Sequence, residues 1–261
     1  ILQTRFEGQD LQQLKKGTSS AEQVTVSFYV KGNAAALYVC ELHDVDNGRN
    51  NTQSFAVTTD WNRIELTFAA DTSDPLDDDT AVSLSLNFWL HSGSNYSGGT
   101  FASNTWADIT LANTTAVADR TSIYDSTDRT FFLTGVQMEI GSTATDFESR
   151  SFGEELALCE RYFQLVPQVG LAYAGATTTV DTCVPYRTPM RAAPTITAIA
   201  AITVTNVTAA DFAQSSANIT GSISVGASSA HLRLGNFSSL TTSDMYLCRN
   251  GDMNVAAAAE L

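Results

Sequence analysis

The chain has 261 residues, and 28 acidic against 14 basic side chains leave a formal net charge of −14. That balance repels the phosphate backbones that proteins grip with Lys and Arg, so nucleic acid is not an expected partner, and it disfavours anionic membrane surfaces. Apolar runs such as Ala198 to Val207 fall well short of the roughly 20 residues a spanning helix needs, while low charge with abundant Ser, Thr, Asn and Gly points to an all-β fold.

The length suits two domains. In Gln9 to Lys16, Leu11 and Leu14 stand among polar residues, as in a single helical turn over a sheet edge. Val24, Val26, Phe28 and Val30 then alternate with Thr25, Ser27, Tyr29 and Lys31, the period of a half-buried strand. Leu37 to Leu42 is a strand with apolar groups on both faces, and His43 to Thr52 reads as a loop. A strand from Trp61 turns Ile64, Leu66 and Phe68 inward and closes into the acidic run Asp71 to Asp79.

Val82 to His91 carries the most information. Val82, Leu84, Leu86, Phe88 and Leu90 form one face, and Ser83, Ser85, Asn87, Trp89 and His91 the other. A tryptophan on a polar face asks for a reason, because large aromatics normally go inward. One is a glycan, whose C–H faces stack on aromatic planes while Asn87 and His91 bond its hydroxyls. Tyr29 and Ser27 join this candidate site if their strand is a neighbour. The other reason is that Trp89 lies under a loop or another subunit.

The alternation of Val136, Met138 and Ile140 with Gln137 and Glu139 closes the first domain. Strands recurring every 10 to 20 residues or so predict an antiparallel sandwich of jelly-roll type over residues 1–150. Ser151 and Glu154 then have the spacing of a capping box, opening a helix over Phe152 to Phe163. Its circumference is mostly apolar, which predicts burial: either as a linker wedged between domains or as an oligomer core built on Leu156, Leu158, Cys159, Tyr162 and Phe163. Residues 164–261 read as a smaller β-sandwich, with strands in Thr178 to Pro185, Ile196 to Val207, and around Ile219, Leu232 and Met245. Its charge-poor surface predicts subunit contacts. The closing AAAAEL looks like a native C-terminus, whereas Ile1 in place of Met implies an upstream segment.

The stretch VQMEIGSTATDFESRSFGEELALCERYF closely resembles a motif in virion structural and tail-fibre or receptor-binding proteins of tailed bacteriophages, particularly those of marine bacteria and cyanobacteria. The resemblance extends to Arg5 to Gly32, Trp61 to Asp71 and Leu84 to Thr100, and Met190 to Thr195 is similar to an element of the C-terminal domains of such proteins. It implies a jelly roll similar to carbohydrate-binding modules, mounted on a virion appendage that assembles in the host cytoplasm. The implied partners are copies of the chain, as a trimer, other virion proteins and host surface polysaccharide. The alternative is a purely structural virion protein such as a capsid decoration, head fibre or tail attachment.

No catalytic motif accompanies the resemblance, and the residues supply none. The nearest approaches to a nucleophile elbow, Gly17 to Ala21 and Gly226 to Ala230, end in alanine, and there is no HExxH, Walker loop or GxGxxG. Acid pairs such as Asp44/Asp46 and Glu154/Glu155 are what glycoside hydrolysis would use, but 28 acids produce such pairs by chance. A non-enzyme is expected, a glycan depolymerase being the enzymatic alternative. No cofactor is expected; Ca²⁺ among the acidic loops is weighed against a solvated turn, since jelly-roll carbohydrate modules often carry that ion. The four cysteines read as buried free thiols, or as a Cys183–Cys248 pair with Cys40 and Cys159 free.

Overall fold

The computed structural model describes residues 1–167, 170–206, 210–248 and 253–259; Val207 and the closing Glu260 and Leu261 lie outside them. The fold is all-β, and the chain divides into two compact units, one of residues Ile1–Ser149 and a second that begins at Arg150.

The first unit is a sandwich of two antiparallel sheets. Strands β1 (Leu2–Glu7), β2 (Val24–Gly32), β3 (Ala36–Asp44), β4 (Arg49–Val57), β5 (Asn62–Phe68), β6 (Val82–Trp89), β7 (Ala107–Asp108) and β8 (Phe131–Ile140) form a five-stranded sheet in the order β1-β6-β3-β4-β7 and a three-stranded sheet in the order β5-β2-β8. The chain passes between sheets at five of its seven connections, the crossing habit of jelly rolls. Alternation explains the core: Val26, Phe28 and Val30 from one sheet meet Tyr38, Cys40, Leu42, Phe55, Leu84, Leu86 and Phe88 from the other. Phe28 touches Phe55 and Phe88 edge-on at centroid distances of 5.1 and 5.0 Å, a geometry worth about 0.5–1.5 kcal/mol per pair beyond the buried area.

The Leu11 and Leu14 segment forms two 3-10 turns, Gly8–Asp10 and Gln12–Leu14, and both leucines are buried. Gly8 is required there, because a Cβ would lie 1.9 Å from the carbonyl oxygen of Asp77. Two strands lay outside the local pattern. β1 has an exposed, mixed sequence and exists because β6 offers it a free edge, and β4 occupies the second half of the predicted loop because β3 pairs with it from Ala36 to Asp44.

The second unit opens with α1 (Phe152–Glu160). The capping box is formed: the Glu154 amide donates to Ser151 Oγ at 3.3 Å, and the Ser151 amide to Glu154 Oε2 at 3.0 Å. The helix stops short of Phe163, which begins β9 (Phe163–Pro167), because backbone partners take the chain away: Arg161 accepts from the Arg191 amide and Tyr162 from the Ala259 amide. Strands β10 (Gly170–Ala176), β11 (Thr179–Pro185), β12 (Thr195–Ala198), β13 (Thr203–Thr205), β14 (Asp211–Ala213), β15 (Ile219–Val225), β16 (Ser229–Leu234), β17 (Met245–Cys248) and β18 (Met253–Ala258) follow. They build a seven-stranded sheet, β14-β13-β17-β10-β11-β16-β15, and a three-stranded one, β12-β18-β9. Val180, Val184, Leu232, Leu234, Tyr246 and Val255 lie in its core.

Candidate functional site

The polar side of β6 meets its neighbours in rows set by strand register. Gln3 of β1, Asn87 of β6, Glu41 of β3 and Thr52 of β4 stand abreast; Arg5, Ser85, His43 and Asn50 form the next row, and Trp89, Val39 and Ser54 the one on the other side. Glu41 organises them. Its Oε2 accepts from Trp89 Nε1 at 2.7 Å and from Asn87 Nδ2 at 2.9 Å, while its Oε1 accepts from Asn50 Nδ2 at 2.7 Å. Gln3 Nε2 in turn donates to Asn87 Oδ1 at 2.9 Å. Glu41 is 4% exposed and Asn87 2%, so the cluster is a buried floor, with exposed Gln3 and Arg5 at one side. A buried carboxylate is costly without partners, and three donors here satisfy it. At one end Trp89 packs against Tyr96, ring centroids 5.0 Å apart. Such an arrangement fixes amide and indole groups in one orientation beside an aromatic pair.

Of the sequence candidates, Asn87 and Trp89 come together on this face. His91 lies just past β6, where Nδ1 is 2.8 Å from Ser122 Oγ and the ring meets Tyr124 edge-on. Tyr29 and Ser27 do not join them, because β2 belongs to the three-stranded sheet, paired with β5 and β8 rather than β6. Neighbours in a crossing topology are not set by local alternation. Ser27 is buried in a face over which residues 142–148 fold back: the Thr145 amide donates to Glu139, and the Glu148 amide to Gln137 Oε1 at 2.8 Å. Tyr29 is exposed beside Arg63. Next to it Gly135 (φ 58°) bulges β8, and a Cβ there would crowd the Tyr29 ring at 3.1 Å. Nearby, Lys31 sits 5.3 and 5.4 Å from the rings of exposed Trp61 and Phe132.

Glu41, Asn50, Gln3 and Tyr96 were not among the sequence candidates. The available signal was Glu41 itself, an acid on the same face as Val39 and His43 and alternating with Cys40 and Leu42 inside the apolar run LYVCELH, where a charge must find partners.

The acidic loops carry the second polar cluster, and a lysine occupies it. Lys16 Nζ lies 2.5 Å from Asp44 Oδ2 and 3.1 Å from Asp71 Oδ2, and donates to the carbonyls of Ser73 and Asp74 at 3.0 and 2.8 Å. Arg49 bridges Asp71 and Asp108 at 3.1 and 2.9 Å. Asp44 and Asp71, the buried carboxylates that the calcium reading would use, therefore face an ammonium. Burial opposes ionisation of Asp71, but the Ser73 amide, Arg49 and Lys16 outweigh it and hold its carboxyl below the ordinary value. Among the described residues, no group of three or more His, Cys, Asp or Glu is placed to hold a metal ion.

The remaining expectations are corrected in part. Within the second unit Phe152 to Cys159 are exposed; Leu156, Leu158, Cys159 and Phe163 are open, and Tyr162 is half-buried against Arg161. All four cysteines are free, so Cys183 and Cys248 do not pair; Cys40 and Cys248 are buried, whereas Cys159 and Cys183 are exposed. Burial pushes the Cys40 thiol far up and raises that of Cys248, which keeps both unreactive. The acid pairs have structural tasks: Asp44 holds Lys16, Asp46 accepts from the Asp77 amide, and Glu154 closes the helix cap.

Comparison of the chain with protein-family models finds no match, and comparison with curated proteins finds none either.

Proposed function

We propose that the chain is a non-enzymatic virion appendage subunit of tail-fibre or receptor-binding type, whose first unit binds a host surface glycan on the outer face of the five-stranded sheet. The observation that carries the reading is the Glu41 cluster: a buried carboxylate spends its hydrogen-bonding capacity on orienting Asn50, Asn87 and Trp89. A core that needed only stability would be served by apolar residues, since buried polar networks seldom out-stabilise them. Fixed amides beside an aromatic pair suit a neutral, hydroxyl-rich ligand, and exposed Gln3 and Arg5 add hydrogen-bond donors at the rim. The resemblance of Val136 to Phe163 and the upstream stretches to phage appendage proteins supports the virion setting.

The test is equilibrium binding of the full chain to host surface polysaccharide. Arg5→Ala, at an exposed position, is expected to weaken binding at least tenfold without changing the melting temperature. Gln3→Ala should weaken binding as much and also lower the melting temperature, because it leaves the buried Asn87 Oδ1 without its donor. Trp89→Ala should abolish binding. Unaltered binding by all three variants would move the ligand elsewhere. No binding by the wild-type chain would favour the structural reading, in which the exposed apolar residues Phe152, Leu156 and Leu158 serve only to pack against other virion proteins. Release of reducing ends from the polysaccharide would instead make the chain a depolymerase.

A further inference from the structure

The outer face of the seven-stranded sheet reverses what is expected of a solvated surface. Strands alternate, so the residues between the buried Ala172, Ala174, Tyr246 and Cys248 point away from the core. On β10 these are Leu171 and Tyr173, and on β17 Met245 and Leu247. Register sets Leu171 directly opposite Leu247 and Tyr173 opposite Met245, so the four form one contiguous patch. All four are exposed, Leu171 to 66% and Leu247 to 50%. Contiguous apolar patches of this kind mark contact surfaces.

Charge and area say what covers it. The acidity of the chain is concentrated in its first part: residues 1–149 hold 20 acidic and 8 basic side chains, a net −12, and residues 150–261 hold 8 and 6, a net −2. Two copies of such a chain repel each other unless they meet through the second unit. Within that unit β10 and β17 carry no charged residue, and β11 carries only Asp181, which Arg233 neutralises in a two-bond pair at 2.7 and 2.8 Å. The exposed side of α1 is a poorer place for like chains to meet, because Glu154 and Glu155 lie on it. The seven strands together hold 37 residues, and at about 4.8 Å between strands and about 3.3 Å per residue they give a face of roughly 600 Å² in projection. That is close to the roughly 800 Å² per partner of a stable interface.

From this geometry we infer that the outer face of the seven-stranded sheet docks on the same face of a second copy, in a two-fold contact centred on Leu171, Tyr173, Met245 and Leu247. Sheets pack face to face about 10 Å apart with apolar side chains interleaved, and a two-fold contact requires a self-complementary, charge-neutral patch. The inference does not depend on glycan binding. A two-fold contact also differs from the three-fold one expected of a fibre.

The measurement is the mass of the full chain in solution by sedimentation equilibrium. The expected result is an even number of copies, falling to one in the Leu171→Asp/Leu247→Asp variant and unchanged in Leu156→Asp. A monomeric wild type at high micromolar concentration, a trimer, or an assembly indifferent to the double variant would each overturn the inference. Should the double variant fail to fold, Cys183 supplies a second readout. It is exposed on β11, one residue beyond Thr182, which pairs with Ala172 between Leu171 and Tyr173. In a Cys159→Ser chain its alkylation by a maleimide should slow at least tenfold as concentration rises through the association range. A rate independent of concentration would contradict the contact.

Discussion

The two units are both antiparallel sandwiches, yet their larger sheets treat the outer face in opposite ways. In the first, the outer row through Asn87 and Glu41 is polar and almost completely buried, each group held by another. In the second, the corresponding positions on β10 and β17 are large, apolar and open. An outward-facing polar row that is buried has paid for orientation, which is of use in recognising a particular ligand. An outward-facing apolar row left open is of use in meeting another protein surface. The same division appears in charge, with nearly all the excess acid in the first unit, where Lys16 and Arg49 hold its innermost carboxylates.

The largest effect is expected where the first unit buries charge. Lys16→Met strips Asp44 and Asp71 of their ammonium and should destabilise the first unit by about 3–5 kcal/mol, the usual cost of breaking a buried ion pair. Denaturant unfolding would show the first-unit transition moving while the second stays. Trp89→Phe keeps the ring and removes one donor from Glu41; a loss of about 1.5–3 kcal/mol, confined to the same transition, is expected for a hydrogen bond to a buried charge. Acid should sharpen the contrast further. The depressed pKa of Asp71 contributes stability that is present above its unfolded value of about 3.9 and is lost as pH falls through the folded value. Melting temperature against pH should therefore drop steeply for the first unit below about pH 4, and Asp71→Asn should flatten that slope. Asp181, held low chiefly by its hydrogen bonds to Arg233, gives the second unit a weaker version of the same response, because Arg233 is solvent-exposed. The smallest effect is Ser151→Ala, about 1 kcal/mol confined to α1 and read by faster amide exchange at Glu154.

Much of the fold was legible locally. Alternation located β2, β5, β6, β8 and β17, strand-favouring Thr and Val located β11, and the Ser151/Glu154 spacing located the helix start, because these signals live in neighbouring residues. What failed needed distant partners. β18, MNVAAA, has poor intrinsic strand preference and becomes a strand because β12 and β9 flank it on both sides. β10, punctuated by Gly170 and Gly175, is likewise held by β11 and β17. At the candidate site, alternation identified Trp89 and Asn87 but not that Glu41 would tie them together, since β3 and β6 are paired across more than forty residues. For the same reason local alternation left open whether Tyr29 and Ser27 neighbour Trp89, and the condition is not met, because β2 lies in the other sheet. For the helix, an apolar circumference predicts cover without saying whether its own chain or another supplies it, and its own unit leaves Leu156 and Leu158 open.

The central claim is that the buried polar face of the first unit is a glycan surface. Its most direct test is amide hydrogen exchange of the full chain with and without host surface polysaccharide. Added protection concentrated in Val39–His43, Ser85–Trp89 and the turn at Ser94–Tyr96 is the predicted result. Protection confined to the opposite sheet around Trp61 and Phe132, or none in the first unit while the polysaccharide is bound, would contradict it.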